Sequence, residues 1–268
     1  LFGDQDDGPA FAELHITDAS GRSRGYVTGQ VNVAGLAWAP DGSAVTFLAK
    51  RGSDATRRLY RIALDGGEAE TLLSFDTDIR SYSLSPDGRQ IAFLATDKAD
   101  EEAEKARKQG FSQRIYEEET RPFRLRIHQV GGDNRSLDLD GSVQDVLWSP
   151  SGDLLAVKLA PVELVDAVIM DTRVVFVSPE TGAITARVDT PGKLGAMAWS
   201  LDGAHLGLIN AADRNDPREG RLSVVAKTGG TPRDLLPGLE GHVWHLAWRD
   251  ARRIVYISYE GVTARLGQ

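Results

Sequence analysis

The sequence predicts an all-β fold, a β-propeller built of four-stranded antiparallel blades. Two kinds of hairpin alternate along the 268 residues, and both recur at nearly the same spacing. Two hairpins in each period supply four strands, which is the content of one propeller blade. A β-sandwich would not repeat at a fixed spacing, so the periodicity favours a propeller.

The first hairpin carries a large apolar anchor at the third position of its pattern. Successive anchors are 46, 64, 51 and 49 residues apart, close to the roughly 40 to 50 residues of one blade. Positions two before and seven and nine after each anchor are apolar, as the period of two in a half-buried strand requires. We expect the recurring tryptophans to pack between blades, with carbohydrate stacking as the alternative. The anchors are Trp38, Leu84, Trp148, Trp199 and Trp248.

Turn residues separate the two strands of the first hairpin. Pro40-Asp41-Gly42 and Pro86-Asp87-Gly88 place proline where φ near −65° is needed and glycine where a positive φ is needed. The fifth copy has Arg252 in place of this glycine. We therefore expect its turn to differ from the others.

The second hairpin consists of a strand, a glycine turn and another strand. Its turn glycines are 45, 65, 51 and 47 residues apart, which follows the spacing of the first series. The second series begins before the first, so the chain opens with the outer half of a blade. The glycines are Gly21, Gly66, Gly131, Gly182 and Gly229.

The two series define blade boundaries within a single propeller domain, 1–268. We predict four whole blades and two partial end blades, and we suspect a fragment because the chain begins at Leu1. The ends either pair to close a small ring or belong to a larger parent, and the larger parent is favoured because open sheet edges invite aggregation. The predicted segments are an outer half-blade at 11–30, blades beginning near 36, 82, 146 and 197, and an inner half-blade at 246–268.

A charged helical insertion at 97–121 accounts for the long second step. We predict a helix over Asp97–Lys108, with two Glu–Lys pairs at i,i+4. Alanines are its only apolar residues, so we expect a solvated surface helix, with a contact to a partner as the alternative. The pairs are Glu101 with Lys105 and Glu104 with Lys108.

Composition excludes several classes of function. The net charge of −8 and pI near 5.2 argue against nucleic-acid binding, which requires clustered Lys and Arg. The most apolar stretch, 159–177, is interrupted by four charged residues, so no membrane segment is predicted. The absence of cysteine excludes disulfides and thiolate metal sites. We expect neither a cofactor nor a metal.

Two protein groups resemble this repeat. The Ser85–Gly88 turn and the strand at Leu59–Gly67 are similar to TolB-like periplasmic propellers and to the propeller of prolyl-oligopeptidase-family serine peptidases. Over Asp97–Arg126 the insertion resembles that of acylaminoacyl-type peptidases in the second group. That resemblance implies a cytoplasmic, non-catalytic domain that gates short peptides to an α/β-hydrolase domain of the same parent chain, expected beyond Gln268. The alternative is a TolB-like protein-interaction propeller in the periplasm.

The resemblance also marks one candidate binding segment, Tyr116–Glu119. In the dipeptidyl-peptidase branch a Tyr-Glu-Glu segment of the propeller binds the free α-amino group of the substrate. Glu117 and Glu118 are the corresponding candidates here, because paired carboxylates favour a cationic amine. The alternative is a solvated acidic loop that Arg121 or Arg124 neutralises.

Two further motifs match a nucleophile pattern and a metal-ligand pattern, but their predicted context does not support either role. The segment Gly21–Gly25 matches Gly-x-Ser-x-Gly, but it follows a predicted hairpin turn instead of forming a strand-to-helix elbow, so no nucleophile and no catalytic residue is predicted. His242 and His245 are three residues apart on a predicted strand, where they are expected to face opposite sides. We therefore predict no metal site.

Overall fold

The computed structural model describes residues 10–111, 113 and 117–268. The described chain is almost entirely β-structure, in antiparallel sheets whose strands follow one another in chain order. It divides into two compact units, Leu1–Ser81 and Tyr82–Gln268. The two described helices contain eight and six residues, and neither is long and apolar enough to cross a membrane.

The described part of Leu1–Ser81 forms a two-stranded sheet and a four-stranded sheet. Leu14 of the smaller sheet packs in one cluster with Phe47 and Tyr60 of the larger, whose rings are stacked with centroids 5.6 Å apart. The strands are β1 (Leu14–Thr17), β2 (Ser23–Val27), β3 (Ala34–Trp38), β4 (Ala44–Ala49), β5 (Arg58–Ala63) and β6 (Glu70–Leu73).

Most of the described chain, Tyr82–Gln268, forms three four-stranded sheets and one three-stranded sheet, with β7 beginning one residue earlier. The first three sheets contain β7 (Ser81–Leu84), β8 (Gln90–Thr96), α1 (Glu101–Lys108), β9 (Phe123–Gln129), β10 (Asn134–Leu137), β11 (Ser142–Trp148), β12 (Leu155–Ala160), α2 (Val165–Met170), β13 (Arg173–Val177), β14 (Ile184–Arg187), β15 (Leu194–Trp199), β16 (His205–Asn210), β17 (Arg221–Ala226) and β18 (Arg233–Asp234). The last contains β19 (His242–Trp248), β20 (Ile254–Glu260) and β21 (Thr263–Gly267).

Consecutive sheets of Tyr82–Gln268 pack face to face through three apolar clusters. The second strand of each four-stranded sheet is buried over most of its length, because it has a neighbouring strand on each side and apolar residues on both faces. Pairs that represent the three clusters are Leu94 with Val157, Phe176 with Trp199, and Leu222 with Leu246. This stacking of small sheets is the architecture of propeller blades.

The turns of the first hairpin have the backbone conformations that the sequence predicts. In the first four copies of the first hairpin the predicted glycine has φ between +67° and +80°. In the fifth copy, which lacks this glycine, the Asp250 carboxylate accepts hydrogen bonds from two successive amides, those of Arg252 and Arg253, at 2.9 and 3.0 Å. Trp248 pairs with Ile254, so this turn is one residue shorter than in its sister sheets. The four glycines are Gly42, Gly88, Gly152 and Gly203.

One predicted packing role is wrong. Trp148 and Trp199 are buried at 7% exposure, but Trp38 is 59% exposed and the neighbouring Leu36 is 57% exposed. The cause lies in the first unit, where β1 and β2 pack against β4 and β5 and not against the anchor of β3. Within the described residues of this unit, Trp38 therefore lies outside the apolar cluster.

Two predicted boundaries also differ. The terminal sheet has a third strand, β21, after the expected hairpin, because Gly261 at φ +62° allows a second tight turn. Helix α1 begins at Glu101 and not at Asp97, since the Asp100 side chain accepts a hydrogen bond from the Glu102 amide at 3.0 Å and acts as an N-terminal cap. The side chains of Glu101 and Glu104, and with them the predicted i,i+4 pairs, lie outside the described residues.

Candidate functional site

Each four-stranded sheet carries short turns on one side and a longer connection on the other. The first and second strands, and the third and fourth, are joined by turns on what we call the turn side. Connections from the second strand to the third lie on the opposite side, the loop side. In Tyr82–Gln268 the long loop-side connections are 97–122, 161–172 and 211–220. Functional residues are concentrated in such loops because a rigid scaffold positions them.

Helix α2 exposes an aliphatic pair on the loop side. Val165 is 62% exposed and Ile169 is 47% exposed, and residues at i and i+4 lie on the same face of a helix. Thr172 ends the segment by donating a hydrogen bond to the Val168 carbonyl at 2.6 Å. The helix is thus held at its C-terminal end while its apolar face points to solvent.

The connection 211–220 lies beside α2 and is held by charged contacts. Arg214 donates a hydrogen bond to the Asp171 carboxylate at 2.8 Å, which joins this connection to the end of α2. Lys193 Nζ donates to the Asp216 carbonyl at 2.5 Å. Asp216 in turn accepts a hydrogen bond from the Ala212 amide at 2.6 Å. These contacts fix the connection against two neighbouring sheets.

An aromatic cluster follows on the terminal sheet. The Arg218 guanidinium lies 5.0 Å from the centroid of the Trp244 ring, a cation–π distance. Tyr259 meets Trp244 edge-on at 6.3 Å and stacks on His242 at 5.4 Å. Trp244 is 52% exposed, because the β-bulge in β19 turns this residue out of the regular alternation.

These groups form one continuous surface, defined as α2, residues 211–220, Trp244 and Tyr259, and called the loop-side surface below. The Asp171–Arg214 pair and the Arg218–Trp244 contact connect its three parts. Tryptophan, tyrosine and arginine are the residue types enriched at the centres of protein interfaces. The chemistry of the surface therefore suits adhesion to another protein.

A polar network continues from this surface to the insertion. The Phe123 amide donates to Ser142 Oγ at 2.9 Å, and Ser142 Oγ donates to the Glu163 carboxylate. Gln144 Nε2 also donates to Glu163, at 2.6 Å. Ser142 is fully buried, so these bonds satisfy polar groups that water does not reach. They attach the end of connection 97–122 to the start of connection 161–172.

The predicted amine-binding residues lie in an exposed turn. Glu117 and Glu118 are both exposed, and Glu117 has φ +75°, the only positive φ of a non-glycine residue in the described ranges. Tyr116 lies outside the described residues. Glu119, which directly follows Glu118, lines a cleft of about 400 Å³ at the base of the insertion. Glu117 and Glu118 precede this cleft residue in the chain, and neither of them lines the cleft.

Opposite charges line this cleft. Its walls include the carboxylates of Asp97 and Asp100 as well as Glu119. Arg124, expected as a neutralising partner of the acidic turn, has its Nε 3.8 Å from Asp97 and donates to the Gly141 carbonyl at 3.2 Å. Asp97 also contacts the buried Arg126 guanidinium. The cations therefore compensate Asp97 at the base of the cleft.

The remaining motifs can be placed as well. Gly21, at φ +85°, lies in the turn of the β1–β2 hairpin, and Ser23 begins β2, so the Gly-x-Ser-x-Gly match is a hairpin turn. The bulge at Trp244 interrupts the alternation assumed for His242 and His245. In the described ranges no three His, Asp or Glu side chains are grouped as metal ligands.

The loop-side surface was missed by the sequence analysis. Connections 161–172 and 211–220 add few residues to the repeat, so the 51- and 49-residue steps conceal them. One signal was present, since Trp244 is the only one of five tryptophans outside the anchor position. An aromatic outside the repeat pattern is not explained by the packing between sheets, and together with the exposed pair on α2 it forms an apolar patch of the kind that marks binding.

No protein-family model and no curated protein sequence matches this chain. Solved structures do. TolB from Acinetobacter baumannii aligns with TM-score 0.63 and 16% identity over 95% of this chain and 56% of that chain. A putative TolB from Agrobacterium tumefaciens aligns with TM-score 0.61 and 16% identity over 91% of this chain and 79% of that one. A chain of the nidogen/laminin complex aligns with TM-score 0.56 and 14% identity over 89% and 80%.

These alignments and the stacked sheets define the class of protein, an all-β propeller of four-stranded antiparallel blades, as the sequence predicts. Within that class the fold is TolB-like. At 14 to 16% identity the likeness concerns the fold alone, because one fold serves many functions. The chain spans 56% of the length of the Acinetobacter TolB.

Proposed function

We propose that this chain is a non-enzymatic, TolB-like interaction propeller that binds a protein partner through its loop-side surface. The observation that carries the proposal is the Arg218–Trp244 contact beside the exposed pair on α2. The similarity to TolB structures supports an interaction propeller over a peptidase gate.

The surface has the composition of an interface centre with a polar rim. Val165, Ile169 and Trp244 together offer apolar area that water now covers, and burial of such area stabilises a complex by roughly 25 cal/mol per Å² before the cost of association. Arg214 and Asp171 lie between the apolar parts and are already paired. A partner that excludes water at this pair therefore leaves neither of the two charges without its counter-ion.

Affinity capture with matched variants tests the proposal. The immobilised chain should retain a protein that the Trp244→Ala and Ile169→Asp variants lose. The control is Leu201→Asp, which changes an equally exposed apolar residue, 60% exposed, in a turn on the turn side. A partner that binds all four proteins equally, or is lost on Leu201→Asp alone, would place the interface elsewhere.

A compartment follows from the same proposal. TolB-like propellers work in the periplasm, so we propose a periplasmic location in place of the cytoplasmic one that a peptidase gate would have. Fractionation of cells that express the natural full-length protein distinguishes the two locations. Recovery with cytoplasmic markers would favour the peptidase-type parent.

A second candidate function is supported by the cleft at the insertion. Asp97 is compensated by Arg124 and Arg126, but Asp100 and Glu119 also line the cleft. Glu119 directly follows the Glu117–Glu118 turn in the chain, and carboxylates grouped in this way favour a cationic amine. The chain would then orient the free N-terminus of a short peptide for an α/β-hydrolase domain of the same parent. We expect a free-amine tripeptide to bind more tightly than its N-acetyl form.

NMR titration of the two tripeptides tests this second function directly. Glu117→Gln and Glu118→Gln should each weaken the free-amine peptide and leave the N-acetyl peptide unchanged. In the full-length parent, hydrolysis of short peptide esters should depend on a serine of the hydrolase domain. Equal affinity for both tripeptides, or no hydrolysis by the parent, would remove this candidate.

A further inference from the structure

A cleft of about 340 Å³ lies within the first unit, between β2 and the sheet formed by β3 to β6. One wall is formed by the end of β2 and the residues that follow it. The other wall is formed by the start of the β4–β5 connection and by the β5–β6 turn. All lining residues lie within 26–69, so both walls belong to the interior of the sequence.

In the second unit, main-chain hydrogen bonds attach the equivalent turn to its neighbour. Gly230 directly follows the turn glycine Gly229. Its amide donates to the Arg187 carbonyl at 2.8 Å, and its carbonyl accepts from the Asp189 amide at 3.0 Å. Both bonds join the β17–β18 turn to the end of β14, the fourth strand of the preceding sheet.

The first unit has the same elements without these two bonds. Gly67 occupies the position of Gly230 and has a similar φ, +104° against +93°. Thr28 occupies the position of Asp189, because each directly follows the last aliphatic residue of its fourth strand. Among the described residues, neither the Gly67 amide nor the Thr28 amide has a hydrogen-bond partner. A Cβ at Gly67 would meet no atom within 4 Å, so this side of the turn faces open space.

Two side chains of β2 lie between that strand and the β5–β6 turn. The Tyr26 hydroxyl donates to the Leu64 carbonyl at 2.7 Å, and Arg24 Nη2 lies 3.0 Å from the Cβ position of Gly66. The Arg24 guanidinium also stacks on Tyr26, 5.1 Å from the ring centroid. The turn therefore contacts side chains instead of the β2 backbone, and two amides at the cleft remain available as donors.

Arg51 supplies an oriented cation to the same cleft. Its backbone amide donates to the Asp54 carboxylate at 3.0 Å, and its guanidinium lies 5.2 Å from the centroid of the Tyr60 ring. The guanidinium has five N–H donors, and in the described chain only the Ala69 carbonyl accepts from it, at 3.3 Å. Several donors of a fixed planar group are therefore left for a second acceptor.

A carboxylate already lies beside these donors. Glu68 Oε2 is 3.7 Å from Arg51 Nη2, which is beyond hydrogen-bonding distance, and the Glu68 side chain is 96% exposed. An exposed ion pair of this length is weak. Lys50, the other cation of the cleft, lies 3.2 Å from Asp78. The cleft thus attracts a carboxylate that its own chain does not hold firmly.

We propose that this cleft binds the carboxylate group of a small organic acid. The carboxylate accepts two parallel hydrogen bonds from the Arg51 guanidinium, the geometry that arginine offers to carboxylates. The Gly67 and Thr28 amides supply the main-chain donors that their counterparts in the second unit use internally. Glu68 moves into solvent when the ligand enters, so it competes with the ligand. A volume of about 340 Å³ is in the range of small-molecule sites.

The site belongs to the first unit and the loop-side surface to the second, so the inference goes beyond the proposed function. Trp244→Ala should bind the acid as the wild type does. A failure of this inference is thereby separated from a failure of the loop-side proposal.

NMR titration of the intact chain with succinate is the first test. We expect saturable shifts of the Gly67 and Thr28 amides and of the Arg51 Nε–H. Succinamide, which has the same shape without the charges, should produce none of them. Equal binding of succinate and succinamide would overturn the inference. Saturation of these signals by inorganic phosphate with no response to succinate would overturn it too.

Protein variants complete the test. Arg51→Lys keeps the charge but loses the planar fork, so it should weaken succinate binding at least about tenfold. Glu68→Gln removes the competing carboxylate and should strengthen binding about threefold. The matched control is Glu70→Gln, which removes the same charge from an exposed residue outside the cleft and should leave the affinity nearly unchanged. Wild-type affinity in either Arg51→Lys or Glu68→Gln would contradict the proposed site.

Discussion

The indole Nε1 of Trp199 donates a hydrogen bond to the carbonyl oxygen of Leu147, 3.2 Å away on the preceding sheet. Trp248 repeats the contact one sheet later, donating to the Ala198 carbonyl at 2.9 Å. In both cases the acceptor is the residue just before the anchor of the preceding sheet. Trp199 and Trp248 thus join consecutive sheets by a directional bond as well as by apolar packing, whereas the indole of Trp148 donates to the Gly152 carbonyl of its own hairpin, at 3.2 Å.

We predict that Trp199→Phe lowers the free energy of unfolding by about 1–3 kcal/mol. Phenylalanine retains an aromatic contact with Phe176, whose ring centroid lies 5.2 Å from that of Trp199, but it leaves the Leu147 carbonyl without its donor. Urea denaturation followed by circular dichroism measures the change.

The matched control for this prediction is Trp38→Phe. Trp38 has the same repeat position but is 59% exposed, so the substitution should change stability by less than about 0.5 kcal/mol. Equal effects of the two substitutions would contradict an inter-sheet role for the anchor.

Much of this architecture could be predicted from sequence, because the spacing of the recurring hairpins gives the length of one blade. The positive φ values of Gly42 and Gly88 and the altered turn at Arg252 follow from local backbone chemistry alone. The exposure of Trp38 could not be predicted in this way. It depends on which strands lie against β3, and that is a tertiary property which the repeat pattern does not contain.

The candidate site was harder to predict for a related reason. Val165 and Ile169 look like core residues in sequence, and only the placement of α2 outside the sheets exposes them. Arg218 and Trp244 are 26 residues apart and meet because two sheets stack. The Glu117–Glu118 prediction came from a resemblance in sequence, and it remains a prediction to be tested with the amine-bearing peptide.

The aspartates of the first-hairpin turns should make stability depend on pH. A hydrogen bond from Ser85 Oγ, then one from the Arg89 amide, lowers the pKa of Asp87 below its usual range. The pKa of Asp202 is lowered in the same way by Ser200 Oγ and then by the Ala204 amide.

Because the folded-state pKa of these carboxyls is depressed, their stabilisation is complete above the unfolded pKa of about 3.9 and is lost as the pH falls through the lower folded value. The double variant Asp87→Asn/Asp202→Asn should therefore lose stability less steeply than the wild type below about pH 4. Urea midpoints between neutral and strongly acidic pH measure the slopes. Ser85→Ala/Ser200→Ala should flatten the profile as well, and an unchanged slope in both variants would rule out the turn hydrogen bonds as the cause.

Two adjacent glycines in the β17–β18 turn allow the cost of a strained backbone to be separated from the cost of a steric clash with a neighbouring atom. Gly229 and Gly230 have φ +79° and +93°, so alanine is strained at either position, by about 1–2 kcal/mol. A Cβ at Gly229 would lie 2.4 Å from the Arg187 carbonyl oxygen, whereas one at Gly230 meets no atom within 4 Å. Gly229→Ala should therefore destabilise the protein by at least about 3 kcal/mol and Gly230→Ala by the strain alone. Similar melting temperatures for the two variants would contradict this.

Backbone strain at Glu117 gives a last prediction, which bears on the candidate amine site. A non-glycine residue at φ +75° is held in a conformation that glycine adopts freely, so Glu117→Gly should raise the free energy of unfolding by up to about 1 kcal/mol. Glu118 lies in the same turn without a positive φ, and Glu118→Gly should lower it by about 0.5–1 kcal/mol because glycine loses more conformational freedom on folding.

Opposite signs for these neighbours, measured by urea denaturation, would show that the turn holds Glu117 against its own preference. Strain of this kind persists where function needs a fixed side chain. If Glu117→Gly stabilises the chain and also abolishes binding of the free-amine tripeptide, the strained residue supplies a ligand-binding carboxylate. If it stabilises the chain and the tripeptide still binds, the turn is strained for a reason other than amine recognition.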